Sequence, residues 1–286
     1  MNANLTFSQF IKRFPDDDIC LDTIFQSRFS VGIICPKCKS PSKFYRVKSR
    51  KCYECGVCGH HLYPLSGTIM EGTTTKLTTW FYVIYLFSVS KNGVSAKELE
   101  RSLGVTYKTA WRIGHKIREV MGSGETELLT GIVETDETLF GGKAPRGGKR
   151  GWGAANKTCL LGMMERGGKV KVVPIENRDI QNIFPAIHKY VEKGSVIHTD
   201  EFRAYNSLPD QGYHHEKVVH SRYQWRSGDI YTNSIEGYWS NLKKSILGTH
   251  TFVSPKHLQK YLDEFDFRHN NRKGKIMFDE ILKRVV

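Results

Sequence analysis

Two groups of residues in this 286-residue chain have the types and spacing for metal chemistry. The first is Cys35-x2-Cys38, a gap of sixteen residues, then Cys55-x2-Cys58. Two turns that each offer two thiolates suit a single tetrahedral zinc ion. Four thiolates leave no open position for water, so such a zinc is structural and not catalytic. Cys52 makes a competing pair with Cys55, and His60 and His61 stand nearby. The run "CGVCG" favours Cys55 with Cys58, because Gly56 and Gly59 suit tight turns. The second group is Asp136, Asp200 and Glu236. Magnesium is a hard ion that takes a few carboxylates together with water and phosphate. Two such ions can activate an attacking oxygen and stabilise a leaving one in an in-line displacement at phosphorus. Carboxylates from separate elements must then converge, although without metal their like charges raise one another's pKa. Each acid also has a plainer role open to it. Asp136 could sit on an exposed strand face, Asp200 could cap a following helix, and Glu236 could complete a capping box begun at Asn233.

These residues must be held by distinct pieces of chain. Residues 1–30 read as a helical lead-in, with Phe7, Phe10, Ile11 and Phe14 at helical spacing and Pro15 as the stop. Residues 31–68 form the cysteine module, whose small sheet needs the ion for stability. Residues 76–122 carry the apolar helix "TTKLTTWFYVIYLFSVS" and then a helix–glycine–helix pattern. Ser95 to Glu98 reads as a capping box, Leu99 and Leu103 as a buried stripe, and Gly104 as the break. Thr106 can cap the second helix, which turns Ala110, Ile113 and Ile117 inward. This is the helix-turn-helix pattern, and Tyr107, Lys108 and Arg112 are its exposed positions, suited to phosphates and base edges.

From about residue 128 to 275 the texture changes. "TGIVETDETLFGG" reads as a strand carrying Asp136, and "KTCLLGMMERGGKVKVVPI" as a hairpin about Gly167-Gly168. "NIFPAIHKYVEKG" reads as a helix, and Ser195 to Thr199 as a buried strand ending on Asp200. "TNSIEGYWSNLKKSIL" is a helix with Ile235, Trp239, Leu242 and Ile246 on one face. "HLQKYLDEFDFRHNNR" is a closing amphipathic helix, with Arg268 and Arg272 facing DNA or on its solvated side. Strand, hairpin, crossover helix, strand and helix imply an α/β fold with a mixed sheet covered by helices.

Lys and Arg outnumber Asp and Glu by 43 to 29, a net charge of +14 that favours a polyanionic partner. An anionic membrane is the rival, but the most apolar run, Trp80 to Val89, is half of the ~20 residues a span needs. The start of the chain lacks a basic region followed by an apolar one, so it does not read as a secretory signal. The chain is therefore expected inside the cell, where thiols stay reduced. Of seven cysteines, five fall between Cys35 and Cys58 and read as ligands, not as a disulfide framework. Cys20 and Cys159 read as ordinary buried thiols. The glycine-rich stretch Phe140 to Lys157 carries Lys143, Arg146, Lys149, Arg150 and Lys157, as a phosphate-tracking loop or a merely solvated one.

Three blocks make a specific match: "TDETLFGGK", "HTDEFRAY" and "YTNSIEGYWSNLKKSILGTHTFVSPKHLQKYLDEFDFRHNNR". They resemble the transposases of the IS1595 group, with its ISXO2-like and IS1016-like branches, and the cysteine module and "GVSAKELERSLGVTYKTAWRIGHKIR" agree. The resemblance runs from about residue 20 to about 275. It implies a ribonuclease-H-like catalytic domain preceded by a zinc ribbon and a helix-turn-helix. Asp136, Asp200 and Glu236 become a DDE-type site for Mg²⁺ or Mn²⁺, and Lys243, seven residues past Glu236, a basic residue near the DNA. Some branches are described with asparagine as third ligand, which makes Asn233 the alternative to Glu236. The implied partners are double-stranded DNA, both terminal inverted repeats and target, with at least a dimer assembling on it in a prokaryotic cytoplasm. A DNA-binding regulator with an inert catalytic body, and a nuclease that cuts without joining, are the rival functions.

Overall fold

The computed structural model describes residues 5–29, 32–124, 127–141, 157–218, 231–273 and 276–285. The chain forms two compact units, Met1–Met121 with Gly274–Val286, and Gly122–Lys273. Lys143, Arg146, Lys149 and Arg150 lie outside the described residues.

In the first unit the lead-in is two helices, α1 (Phe7–Arg13) and α2 (Asp17–Arg28), and Asp16 starts the second by accepting the Ile19 N–H at 2.8 Å. Of the four apolar residues at helical spacing, Phe10 and Phe14 are buried, whereas Phe7 and Ile11 are exposed. The helix is only two turns long and buries one edge of its stripe. The cysteine module follows as an antiparallel sheet of β1 (Phe44–Val47), β2 (Cys52–Cys55) and β3 (His61–Leu62). Next come α3 (Leu77–Val89), α4 (Ala96–Leu103) and α5 (Tyr107–Gly122). Helix α3 is the core of the unit, with Trp80, Phe81, Ile84 and Phe87 fully buried. Its first turn has no local side-chain cap. Asp17, sixty-one residues upstream, accepts both the N–H and the hydroxyl of Thr78 at 2.9 Å.

Helix α4 is capped by Ser95, which accepts the Glu98 N–H at 3.1 Å, and ends on Gly104 in the left-handed region at φ 63°. Thr106 accepts the Thr109 N–H at the start of α5. Ala110, Ile113 and Ile117 are buried, while Leu103 is only half-buried. The chain returns to this unit at its end as α9 (Met277–Val285). Phe278 is buried there among Phe14, Phe10 and Phe81, with centroids 5.3, 6.1 and 6.3 Å away. Helix α9 lies beyond the domain ending at about residue 275 that the sequence pattern implies. Among the described residues no helix is long and apolar enough to cross a membrane.

The second unit is a five-stranded sheet in the order β6-β5-β4-β7-β8. The antiparallel half is β4 (Ile132–Phe140), β5 (Thr158–Glu165) and β6 (Val170–Ile175). After the crossover helix α6 (Ile180–Tyr190), β7 (Val196–Thr199) runs parallel to β4, and β8 (His214–Lys217) runs parallel to β7. This mixed sheet, three antiparallel strands continued by two parallel ones, is the ribonuclease-H-like arrangement. Helices α7 (Asn233–His250) and α8 (Pro255–Asn270) pack Ile235, Trp239, Leu242, Leu258 and Leu262 against one face. The other face is covered by α6 through Ile183 and Ile187.

Helix α8 also closes the β6 edge. Asn270 accepts the Val170 N–H at 2.8 Å and donates to its carbonyl at 2.9 Å, and Asp266 accepts the Val172 N–H at 2.9 Å. Side chains thus do what a further strand would do, and the exposed ladder of an edge strand is blocked. Arg268 corrects an expectation. It is buried, not solvated, and pairs with the fully buried Glu264 one turn earlier at 2.7 Å. Arg272 donates to the carbonyls of Gly168 and His269.

Candidate active site

The strand that carries Asp136 is tied to α7 at three heights. Glu134 accepts the Ser234 N–H at 2.8 Å, the Ser234 hydroxyl at 2.9 Å and the Ile235 N–H at 3.2 Å. Asp136 accepts the Trp239 indole N–H at 2.9 Å, and Thr138 accepts from the Lys243 ammonium. Residues 134, 136 and 138 share one sheet face because strand side chains alternate. Two strand residues advance about 6.6 Å. Four or five helical residues advance about 6–7.5 Å, so the two ladders stay in step. Gly162, opposite Asp136 in the ladder, makes room for this contact. A Cβ there would lie 2.5 Å from the Trp239 ring and 2.8 Å from Ile235.

The partner carboxylate arrives through the parallel ladder. Val133 pairs with Ile197, and Glu134 with His198. Asp200 directly follows the last residue of β7, and its charge is felt at Asp136. Asp200 accepts the Phe202 N–H at 2.9 Å, an Asx-type turn that stops the strand and leads into a short 3₁₀ segment, Arg203–Ser207. The plainer role of a helix cap is not the one Asp200 takes, since Phe202 is the N-cap of that segment and no side chain caps it.

Glu236 is exposed one turn into α7 and accepts the Thr232 hydroxyl at 3.0 Å. Thr232, not Asn233, is the N-cap, so no capping box begins at Asn233. Asn233 is the exposed first residue of the helix.

The electrostatics join these groups. Asp136 is pushed up to about 6, chiefly by burial. The Trp239 bond opposes this shift, and the charges of Asp200 and Glu236 add to it. Lys243 is half-buried and held below the usual lysine range by that burial and by Lys157, against the pull of Asp136. It is not the free surface lysine its sequence allows. On the opposite face, buried Glu137 bonds to the Tyr205 hydroxyl and is pushed up to about 7, mainly by burial. The three carboxylates do not form a group whose ligand atoms all approach within 4.8 Å, as the thiols do. Three like charges resist closer approach unless a cation lies among them. The donor set is all oxygen and suits a hard divalent ion.

Those pKa values give a signed prediction for metal-free protein. The folded Asp136 holds its proton up to about pH 6, whereas an unfolded aspartate releases it near 4. Its contribution to stability is fully present below about pH 4 and is lost as pH rises through 6. Asp136→Asn should therefore melt higher than wild type at pH 7.5 by an amount equivalent to about 1–3 kcal/mol. The gap should shrink towards zero near pH 4.5. Calorimetry of both proteins in chelator-treated buffer measures it, and a pH-independent gap would refute the assignment.

The thiols converge more tightly. Cys35 and Cys58 place their sulfurs 3.7 Å apart, Cys38 and Cys55 4.0 Å apart, and all four lie within 4.8 Å of one another. A tetrahedron with metal–sulfur bonds of about 2.3 Å has edges of about 3.8 Å, so the set fits zinc. Cys52 is buried but is outside this group, as are His60 and His61. The two turns match: Lys39 and Gly59, each four residues past the first cysteine of its pair, are left-handed at φ 58° and 67°. Gly56 serves by close approach instead, since a Cβ would lie 2.8 Å from the Tyr45 ring. On the helix pair, Tyr107, Lys108 and Arg112 are all exposed, and the Lys97 ammonium lies 5.0 Å from the Tyr107 ring centroid.

Sequence reasoning missed Glu134, Trp239 as a polar partner, and the Glu137–Tyr205 pair. A signal existed for Trp239, because a buried indole N–H needs an acceptor.

Comparison with known proteins adds the following. Residues 128–270 match the ISXO2-like transposase domain, and residues 15–61 the transposase zinc-ribbon domain. The chain is 27% identical over 279 residues to an uncharacterized protein in transposable element ISH50 of Halobacterium salinarum, covering 90% of this chain and 92% of that one. An uncharacterized transposase-like protein of Haemophilus influenzae is 30% identical over 118 residues, 41% of this chain and 94% of the relative. Among solved structures, the catalytic core domain of BIV integrase aligns at TM-score 0.34 and 14% identity, over 54% of this chain and 94% of that one. The simian T-cell lymphotropic virus intasome in complex with PP2A regulatory subunit B56 gamma aligns at TM-score 0.31 and 18% identity, over 60% and 65%.

Proposed function

Because the chain belongs to the ISXO2-like transposase family, we propose that it binds the terminal inverted repeats of an insertion sequence, cuts the DNA there and joins the freed end to target DNA. What supports this reading is that the charges of Asp200 and Glu236 are both felt at the Asp136 carboxylate, with Asp200 directly following β7, the parallel neighbour of β4. Asp136, Asp200 and Glu236 would hold Mg²⁺ or Mn²⁺. Glu236 is preferred to Asn233 because it is charged and acts on Asp136. When bound, two such ions supply activation of the attacking oxygen and charge stabilisation of the leaving one.

The chain's own residues do the positioning. Trp239 fixes the rotation of Asp136, and the Glu134 bonds hold the turn from which Glu236 projects. Lys243, steadied by Thr138, puts positive charge beside Asp136, where a phosphodiester would lie. The zinc module and the helix pair bring the DNA end, with Tyr107, Lys108 and Arg112 towards it. Lys143, Arg146, Lys149 and Arg150 add phosphate contacts. Two ends must be brought together, so at least two copies assemble on DNA, in the cytoplasm of a prokaryotic host.

The test incubates purified protein and Mg²⁺ with a duplex ending in the element's terminal repeat and a target plasmid. Joined products are expected. Nicks alone would mean a nuclease, and binding without cleavage a regulator with an inert body.

A further inference from the structure

Helix α7 ends in an unusual turn. Thr251 has φ 60° and ψ −52°, and the Phe252 N–H bonds back to the His250 carbonyl. This is a γ-turn with a left-handed centre, the rarer and strained of the two γ forms, on a β-branched residue. Its effect is to hold Phe252 out in solvent, 67% exposed. Stability alone favours neither the strained turn nor the bare ring.

Phe252 stands at the rim of a cavity of about 390 Å³, lined by Phe140, Lys157, Val253, Pro255 and Leu258 as well. That volume lies in the range of small-ligand sites. Its walls are apolar except for Lys157 and the polar edge of the strands. Lys157 acts electrostatically on Lys243, which acts on Asp136. Phe140 is four residues beyond Asp136 on the same strand, about 13 Å at ~3.3 Å per residue. A flat aromatic ring, an apolar slot and two ammonium groups leading from the carboxylates make a combination that suits a nucleobase and its flanking phosphates.

We propose that Phe252 and this cavity form a base-binding subsite that takes one nucleobase, unstacked from the DNA, close to the scissile phosphate. The proposal rests on the DNA-joining function above and adds to it a substrate contact. At about 3.4 Å per base step, 13 Å corresponds to about four nucleotides. Unstacking costs least at an end or a nick, so the DNA end is the natural donor of the base.

The test uses full-length protein, with Ca²⁺ in place of Mg²⁺ so that the DNA stays intact. 2-Aminopurine is placed singly at each of the six positions either side of the scissile phosphate. Wild type should brighten the probe at one or two adjacent positions about four nucleotides from the cut. Phe252→Ala should abolish that signal and weaken end binding about tenfold to a hundredfold. Phe252→Trp should restore both, and Leu247→Ala, which removes another exposed apolar side chain on α7, should change neither. Equal binding and equal brightening in Phe252→Ala would overturn the subsite, even if that variant still joins DNA in Mg²⁺. A localised signal in wild type with no joined product in Mg²⁺ would support the subsite and overturn the joining reaction instead.

Discussion

Asp136→Asn is expected to leave the protein folded and to lower DNA joining by ~10³-fold or more, the scale of losing a group that acts in the transition state. The amide has the size of the carboxylate and can still accept the Trp239 N–H, so α7 stays docked on β4. What disappears is the negative charge that a hard divalent ion needs as a ligand. The melting and joining measurements should therefore move in opposite directions at pH 7.5, stability up and activity down. Such opposition marks a site in which burial keeps like charges together at the expense of the fold. Joining is read by end-labelled products under single-turnover conditions. Retained joining would remove Asp136 from the reaction. In the same assay Glu236→Gln should fall nearly as far, and Asn233→Ala should stay within a few-fold of wild type. The reverse result would move the third ligand to Asn233.

Cys58→Ser should empty the zinc site and unfold the cysteine module. Binding of structural zinc supplies about 10–16 kcal/mol in small domains of this kind, more than the small β1–β3 sheet can replace. Wild type should carry one zinc per chain by atomic absorption, and Cys58→Ser none. DNA-end binding should be lost with the metal. Cys52→Ala is the control that decides between the two pairings. Cys52 is buried away from the four sulfurs, so that variant should keep its zinc. Loss of zinc in Cys52→Ala with retention in Cys58→Ser would mean that the Cys52–Cys55 pair is the true one.

The strands and helices of the second unit were legible because their signals are local. The β-branched and aromatic residues Ile132, Val133, Thr135, Thr138 and Phe140 mark β4, Gly167 turns the hairpin at φ 72°, and the stripe of Ile235, Trp239, Leu242 and Ile246 marks the buried face of α7. The coupling of Asp200 to Asp136 was not legible from spacing, since it depends on β7 pairing in parallel with β4 while the two acids stand sixty-four residues apart, 200 − 136. Helix starts show the same limit. Two of them are capped by acids far along the chain, α3 by Asp17 and α7 by Glu134, where the residue at the N-cap makes no side-chain cap bond. Glu134 looked like one more acid in a charged strand, yet it is 0% exposed and spends its charge on two backbone N–H groups of a helix N-terminus. Arg268 shows the reverse error. A basic residue on an amphipathic helix reads as solvated until an acid four residues back, Glu264, is found buried with it.

Helix α9 ties the completion of the first unit to a segment made after the second unit. Phe278 closes an aromatic cluster with Phe10, Phe14 and Phe81, residues made between about two hundred and about two hundred and seventy positions earlier. Until Phe278 emerges, those rings have an open side, and the nascent chain must carry that sticky surface while the whole second unit is made. A gene copy interrupted anywhere upstream of α9 would therefore yield a product whose leading half is also unfinished, and whose exposed rings invite proteolysis. A truncated relic would then carry no intact first unit.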